Sequence, residues 1–157
     1  MNDNPLLDFS DLTRFDAITP EHVRPAITVL LDEARTLVER LISEAVPATW
    51  NEFARPLADG TERLSRAWGV VGHLHSVKDV PPWREAYNDL LPEVTRFYSE
   101  LGQNLALFSK YKALAASPEY ATLSAARKRI IDNEIRDFRL SGAELPDDQK
   151  PRFQELQ

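Results

Sequence analysis

The chain has 157 residues, of which 43% are hydrophobic and 28% charged, and its 25 acidic against 19 basic residues give a formal net charge of −6 at pH 7. This composition predicts a soluble globular domain, because a disordered chain has far fewer apolar residues. No apolar run approaches the roughly 18–20 residues that span a bilayer, and the first residues do not resemble a secretory signal. The absence of cysteine excludes disulfides and thiolate ligands. It is also typical of a reducing compartment, so we expect a cytoplasmic protein without membrane contact.

The basic residues are interleaved with acidic ones, which disfavours nucleic-acid binding. The densest basic cluster alternates with acids within one segment: Arg127, Lys128, Arg129, Asp132, Glu134, Arg136, Asp137 and Arg139. Phosphate-binding surfaces usually gather lysine and arginine on one face. We therefore interpret this segment as a solvated helix face with paired charges, and we expect no nucleic-acid partner.

The first helix signal is Thr19-Pro20-Glu21, which supplies an N-cap hydroxyl, a proline at the first helical position and an early acid. Apolar residues then recur at steps of three and four from Val23 to Ala45. This spacing predicts an amphipathic helix of about seven turns. Pro25 is compatible with that helix because it lies near the first turn.

Thr49-Trp50-Asn51-Glu52 has the pattern of a capping box and predicts the start of a second helix, which extends to Leu74. Pro56 should bend this helix early, and Gly60 should weaken it. A third helix is predicted from Pro81 to Tyr111, because a long aromatic-rich apolar pattern covers this range.

Pro92 should kink this third helix about a third of the way along.

Ser117-Pro118-Glu119 predicts a fourth element that restarts at Ser124, and Gly142 is suited to end it. A last helix is predicted to begin at Leu145-Pro146-Asp147-Asp148. There the paired acids are typical of a helix start rather than of an acid/base dyad.

No stretch alternates with a period of two for long enough to predict a strand. The sequence therefore predicts an all-α fold of long antiparallel helices in a bundle-like arrangement. Residues 1–18 form an irregular leader in this prediction, and residues 19–157 form the helical domain.

Two of the three histidines, His73 and His75, are separated by one residue, and this spacing raises the question of a metal site. Residues two apart on an α-helix point roughly 200° apart, because each residue turns about 100°. The helical zinc motif uses His-Glu-x-x-His, which this chain lacks. We therefore expect the pair to lie at a helix end with one ring packed and the other in solvent.

Other catalytic patterns are absent as well. The chain has no Gly-x-Ser-x-Gly elbow, no cysteine nucleophile and no glycine-rich phosphate loop. The aromatic stripe from Trp83 to Tyr111 is interpreted as core rather than as a ligand pocket. No catalytic, substrate-binding or metal-ligating residue is assigned, and no cofactor is expected in this chain.

Seven stretches occur in a characteristic order: NPLLDF, FDAITPEHVRPAI, TWNEF, HLHSVKD, REAYNDLLPEVTRFYSELGQN, YKAL and IRDFRLSGAELP. Together they resemble the amino-terminal region of the thimet oligopeptidase-like family of zinc metallopeptidases. The resemblance covers the chain from Asn4 to its last residue. His73 fits the family pattern, whereas His75 stands where the family usually has asparagine, which is not a good zinc ligand.

The resemblance implies a cytoplasmic, nearly all-helical enzyme that cleaves short peptides in a deep channel between two halves. It implies a zinc ion held by a His-Glu-x-x-His helix and a downstream glutamate, several hundred positions beyond this sequence. The chain is then an amino-terminal fragment that forms part of the channel wall and is inactive alone. The zinc belongs to the parent enzyme and not to this fragment.

The resemblance also implies partners for the fragment. These are oligopeptide substrates in the parent enzyme and the missing catalytic half of the same chain. Helix faces that would contact that half should be exposed and apolar, so we expect the fragment to self-associate through them.

Two alternatives remain open from the residues. The first is a self-contained helical module that binds a protein or peptide. The second is a small enzyme that uses His22, His73 and acids.

Overall fold

A computed structural model of the chain describes residues 4–146, 148, 149 and 152, and these contain six α-helices and no β-strand. The all-α prediction is confirmed. The helices are α1 (Pro20–Ile42), α2 (Arg55–Lys78), α3 (Pro81–Gly102), α4 (Leu105–Ala115), α5 (Pro118–Thr122) and α6 (Ala125–Leu140). The leader contains a short 3-10 helix, Pro5–Leu7.

The chain divides into two compact units. Unit 1 contains the described residues of Met1–Glu39 and Leu57–Arg96, and unit 2 contains those of Arg40–Pro56 and Phe97–Gln157. The buried apolar side chains of unit 1 are Leu6, Ile18, Val23, Ala26, Ile27, Leu30, Leu31, Ala34, Leu57, Leu64, Ala67, Val71, Leu74, Trp83, Leu90 and Val94. Those of unit 2 are Leu41, Trp50, Phe53, Ala54, Phe97, Leu107, Phe108, Tyr111, Leu114, Ile131, Phe138 and Ala143.

Helix α1 begins where the sequence predicts. The Thr19 amide donates to His22 Nδ1 at 3.0 Å, and the His22 amide donates to the Thr19 carbonyl oxygen at 3.1 Å. His22 thus fills the role that glutamate or glutamine has in a capping box. The helix ends at Ile42 rather than at Ala45. The carbonyl oxygens of the following turn accept hydrogen bonds from Lys110 of α4, a contact that no local pattern predicts.

The second predicted helix begins with a π-helical turn, Trp50–Ala54, before α2. The Thr49 hydroxyl accepts a hydrogen bond from the Glu52 amide at 3.2 Å, so the predicted cap is present. Pro56 has no amide hydrogen to donate back into this turn. The irregularity predicted near Pro56 takes the form of the wide turn that precedes it.

The prediction of one helix from Pro81 to Tyr111 is wrong in its extent. Helix α3 ends at Gly102 and α4 begins at Leu105, whereas Pro92 lies inside α3. The Asn104 side chain accepts hydrogen bonds from the amides of Ala106 and Leu107, both at 3.1 Å, and caps the new helix. The apolar pattern continues across the break and conceals it.

Helix α6 begins at Ala125 behind the N-cap Ser124 and ends at Leu140, as the sequence predicts. Gly142 has a φ of 84°, in the left-handed region. The Gly142 amide donates to the Arg139 carbonyl oxygen, and the Ala143 amide donates to that of Phe138. These two bonds make a Schellman motif. The helix predicted from Leu145 onward falls mostly on residues outside the described part of the chain.

Candidate functional site

Across the described positions, no polar or charged residue is buried, and no three side chains of the metal-ligating types are grouped to hold an ion. None of the helices described is long and apolar enough to cross a membrane. The features that remain to be tested for function are the three histidines, the leader, the α2–α3 connection and the aromatic core of unit 2.

The three histidines have separate structural environments within unit 1. His22 is half-buried and caps α1 through Nδ1. His73 is exposed, and its ring lies edge-on against Phe15 of the leader, with centroids 5.4 Å apart. His75 stacks on Tyr87 of α3, with centroids 4.4 Å apart and planes 13° from parallel. Helix α2 runs through both His73 and His75, so their rings diverge as helix geometry predicts.

His75 belongs to a column of three rings that the sequence reasoning missed. Tyr87 also stacks on Trp68, with centroids 4.8 Å apart and planes 11° from parallel. Trp68 and His75 are seven residues apart on α2, which is two helical turns, so Tyr87 fits between them. Gly72 lies beside the tyrosine, since a Cβ built on it would be 3.9 Å from Tyr87 Cε2. The spacing of Trp68 and His75 is visible in the sequence, but their partner on α3 is not.

The α2–α3 connection has a strained residue held by an ion pair. Asp79 has a φ of 37°, an uncommon value for a residue other than glycine. Arg84 Nε donates to Asp79 Oδ1 at 2.6 Å, and Arg84 Nη2 donates to the Asp79 carbonyl oxygen at 3.0 Å. The hydrogen bond to the Asp79 side chain, reinforced by the charge of Arg84, lowers the pKa of the Asp79 carboxyl. The contacts fix the connection, and both side chains are exposed.

The leader is anchored at both ends. Leu6 and Ile18 are buried, and the Asn4 side-chain amide donates to the His22 carbonyl oxygen at 2.8 Å. Between these anchors the Arg63 guanidinium lies 5.0 Å from the centroid of Phe9. A shallow pocket between the leader and α2 is lined by Pro5, Leu6, Asp8, Phe9, Thr13, Arg66, Ala67 and Val70.

Unit 2 contains an aromatic cluster with a half-buried carboxyl at its edge. Tyr111 lies 4.8 Å from Phe53 and 5.9 Å from Phe138 between ring centroids. Burial raises the pKa of the Tyr111 hydroxyl, and the charge of Glu134 adds to this effect. Burial likewise raises the pKa of Glu134, with a smaller contribution from Asp137. The cluster is core, as the sequence predicts for the tyrosine, and it offers no nucleophile.

Three arginines of the basic cluster contact carboxylates or an aromatic ring. Arg136 Nη2 lies 2.8 Å from Asp137 Oδ1, and Arg139 Nε lies 3.2 Å from Glu144 Oε2. The Arg127 guanidinium lies 5.0 Å from the Trp50 ring centroid. Two of these contacts pair opposite charges that are close in the sequence, and the third is a cation–π contact with a residue distant in the chain.

The chain matches the family model of the neurolysin/thimet oligopeptidase N-terminal domain over residues 27–150. The chain belongs to this family. Over 98% of its length it is 41% identical to oligopeptidase A of Escherichia coli (strain K12), of which it covers 22%. It is 36% identical over its full length to the probable cytosolic oligopeptidase A of Arabidopsis thaliana, again covering 22% of that protein. A more distant relative is the dipeptidyl carboxypeptidase of Salmonella typhimurium, which is 26% identical over 99% of this chain.

These matches confirm the resemblance seen in the seven stretches, and they place it in the amino-terminal part of the relatives. The chain spans about a fifth of the length of the curated relatives it matches. Its relatives are peptidases by name. The structure and the family agree on an all-helical region.

Proposed function

We propose that the chain is the amino-terminal region of a zinc-dependent oligopeptidase of the oligopeptidase A type, which hydrolyses short peptides in the cytoplasm. In this proposal the region forms part of the wall of the substrate channel and has no activity alone. The observation that carries the proposal is the 41% identity to oligopeptidase A across 98% of this chain.

The chemistry of the described residues supports a structural role. The histidines cap a helix or pack against rings. Hydrogen bonds lower the pKa values of Glu21 and Asp79, two carboxylates that the charges of His22 and His75 also affect. A general acid or base works best with a pKa near the operating pH, and lowering moves a carboxyl away from it.

The zinc that the family implies does not fit the residues described. Three or more ligating side chains normally hold a catalytic zinc ion. His22, His73 and His75 contact different partners, and no acid joins any two of them in a group of three within the described ranges. In this proposal the zinc is held in a part of the longer chain outside these residues.

A chimera tests the proposal. The matching amino-terminal region of E. coli oligopeptidase A is replaced by this chain, and hydrolysis of a quenched fluorescent short peptide is measured with zinc present. We expect the chimera to cleave the peptide, and we expect neither this chain nor the E. coli protein without its amino-terminal region to do so. Turnover with stoichiometric zinc by the 157-residue chain would overturn the proposal, and so would a folded chimera without activity.

The second candidate is a self-contained helical module that binds a protein or peptide. The exposed apolar side chains of the leader and of the end of α2 favour it. The chimera separates the two candidates, because a self-contained module has no reason to restore peptide hydrolysis to a foreign catalytic region.

A further inference from the structure

One surface of unit 1 combines a fixed backbone with exposed apolar side chains. Leu12 is 86% exposed, Phe15 43% and Val77 62%. Together with the exposed His73 they define what we call the leader face. The leader part and the α2 part of this face are connected by the contact of Phe15 with His73 and by that of Asp11, the residue before Leu12, with Arg66.

Helix geometry aligns the α2 part of this face. Positions 66, 70, 73 and 77 follow steps of four, three and four, so they lie on one side of the helix. Arg66, at one end of this row, donates to the Asp11 carbonyl oxygen at 3.3 Å. His73, further along, contacts Phe15. The leader therefore runs along this side of α2 from Arg66 towards His73.

The backbone of this face is held firmly, although its side chains contact solvent. The leader is anchored by buried Leu6 and Ile18, so Leu12 and Phe15 do not belong to a loose tail. Ordering a loop costs conformational entropy. Exposed apolar side chains do not offset this cost, because they bury no surface. A firmly held apolar surface is typical of a contact site for another protein surface.

We propose that the leader face is covered by the remainder of the longer peptidase chain, an inference that rests on the proposed function. The relatives extend far beyond the region matched here, since this chain covers only 22% of E. coli oligopeptidase A. When two separate molecules associate, they lose translational freedom, and this costs free energy. Two parts of one chain do not have this cost, so a small apolar face is sufficient to hold them in contact.

A second copy of the chain is a less suitable occupant. A stable interface between molecules involves about 20–30 residues on each side, and the four residues of the leader face are far fewer. Self-association through this face, which the sequence predicts for a fragment, is then a weak substitute for the contact within the longer chain.

Single cysteines test the proposal, because the chain has none of its own. Val77→Cys places a thiol on the leader face, and Ser65→Cys places one on another exposed side of α2 as a matched control. Each variant is labelled with a small maleimide, both in the 157-residue chain and in the oligopeptidase A chimera. The labelled peptide is quantified by mass spectrometry, so cysteines elsewhere in the chimera do not interfere.

We expect the thiol at position 77 to label at least about tenfold more slowly in the chimera than in the 157-residue chain, and that at position 65 to change less than about twofold. Equal rates at position 77 in an active chimera would overturn the inference and leave the proposed function intact. If the thiol at position 77 is protected from labelling only when a peptide substrate is bound, the inference is overturned and the face is a channel surface. Protection that grows with the concentration of the 157-residue chain would overturn it in favour of a second copy.

Discussion

Two helix ends in this chain require the same left-handed backbone and stabilise it in different ways. Helix α6 ends at Leu140 and is followed by Gly142, where φ is 84°, and α2 ends at Lys78 and is followed by Asp79, where φ is 37°. At α6 the end is closed by two backbone hydrogen bonds, and Phe138 and Ala143 beside it are buried. At α2 the Asp79 amide donates to the His75 carbonyl oxygen, while the exposed Arg84 holds the aspartate side chain.

A left-handed residue after a helix can thus be stabilised by glycine and apolar burial or by polar contacts at the surface. The contribution of the α6 end to stability should therefore fall when Gly142 is replaced and change little with salt concentration. The α2 end should depend on charge and on the ring column that His75 joins. The following substitutions test this difference, in order of decreasing expected effect.

Gly142→Ala should have the largest effect, because a Cβ in the left-handed region costs about 1–2 kcal/mol of unfolding free energy. Urea denaturation followed by circular dichroism measures the change. Gly69→Ala is the matched control, since Gly69 is an exposed position inside α2 with nothing within 4 Å of the added methyl group. The unfolding free energy of this control should rise by about 0.5–1 kcal/mol. Equal changes of the unfolding free energy in the two variants would contradict the account of Gly142.

His75→Asn removes one ring of the column and should cost about 0.5–1.5 kcal/mol, the usual range for an aromatic pair. A double-mutant cycle with Tyr87→Leu isolates the coupling between the two rings. His73→Asn serves as a control, because its ring is exposed and makes only an edge contact with Phe15. A coupling energy of zero would show that the column contributes no stability.

Asp79→Gly and Asp79→Ala separate backbone strain from side-chain contact at the α2 end. Glycine relieves the left-handed φ but loses the contact with Arg84, whereas alanine loses the contact and keeps the strain. We expect the alanine variant to be the less stable of the two, and its loss to be smaller than that of Gly142→Ala. The midpoints of urea denaturation rank the variants, and a more stable alanine variant would contradict the assignment of strain.

The carboxyl groups of Asp79, after α2, and of Glu134, within α6, should change the stability in acid with opposite signs. The lowered pKa of Asp79 contributes stability above its unfolded value of 3.8, and this contribution is lost as the pH falls through the folded pKa. The raised pKa of Glu134 in α6 destabilises the fold at neutral pH, and the penalty is relieved as the pH falls towards 4.5. Glu134→Gln should therefore stabilise the chain at neutral pH more than at pH 4.5. Urea denaturation at both pH values measures the difference, and equal gains would contradict it.

Local signals predicted a large part of this fold. The helix starts at Thr19, Thr49, Ser117 and Ser124 and the stop at Gly142 depend on side chains within a few residues, and all five are found in the structure. The break between α3 and α4 was missed because the apolar spacing continues through it. Its local signal, Gly102 followed by Asn104, is weak compared with a thirty-residue pattern.

Other features depend on contacts between distant residues and could not be predicted. Gly60 was expected only to weaken a helix, whereas in the structure a Cβ on it would overlap Leu37 Cδ2 of α1. A Cβ on Gly102 would lie 3.0 Å from Ser141 Oγ. The divergence of His73 and His75 followed from helix geometry, but their ring partners Phe15 and Tyr87 did not.

The central claim is that this region supplies a helical scaffold and no catalytic group. The most direct measurement is peptide hydrolysis and zinc content of the oligopeptidase A chimera that carries both His73→Ala and His75→Asn, at a temperature where it is folded. The account predicts one zinc ion as in the parent chimera and a kcat/KM within about threefold of it. Loss of the zinc, or a fall in kcat/KM of about a hundredfold or more, would contradict it.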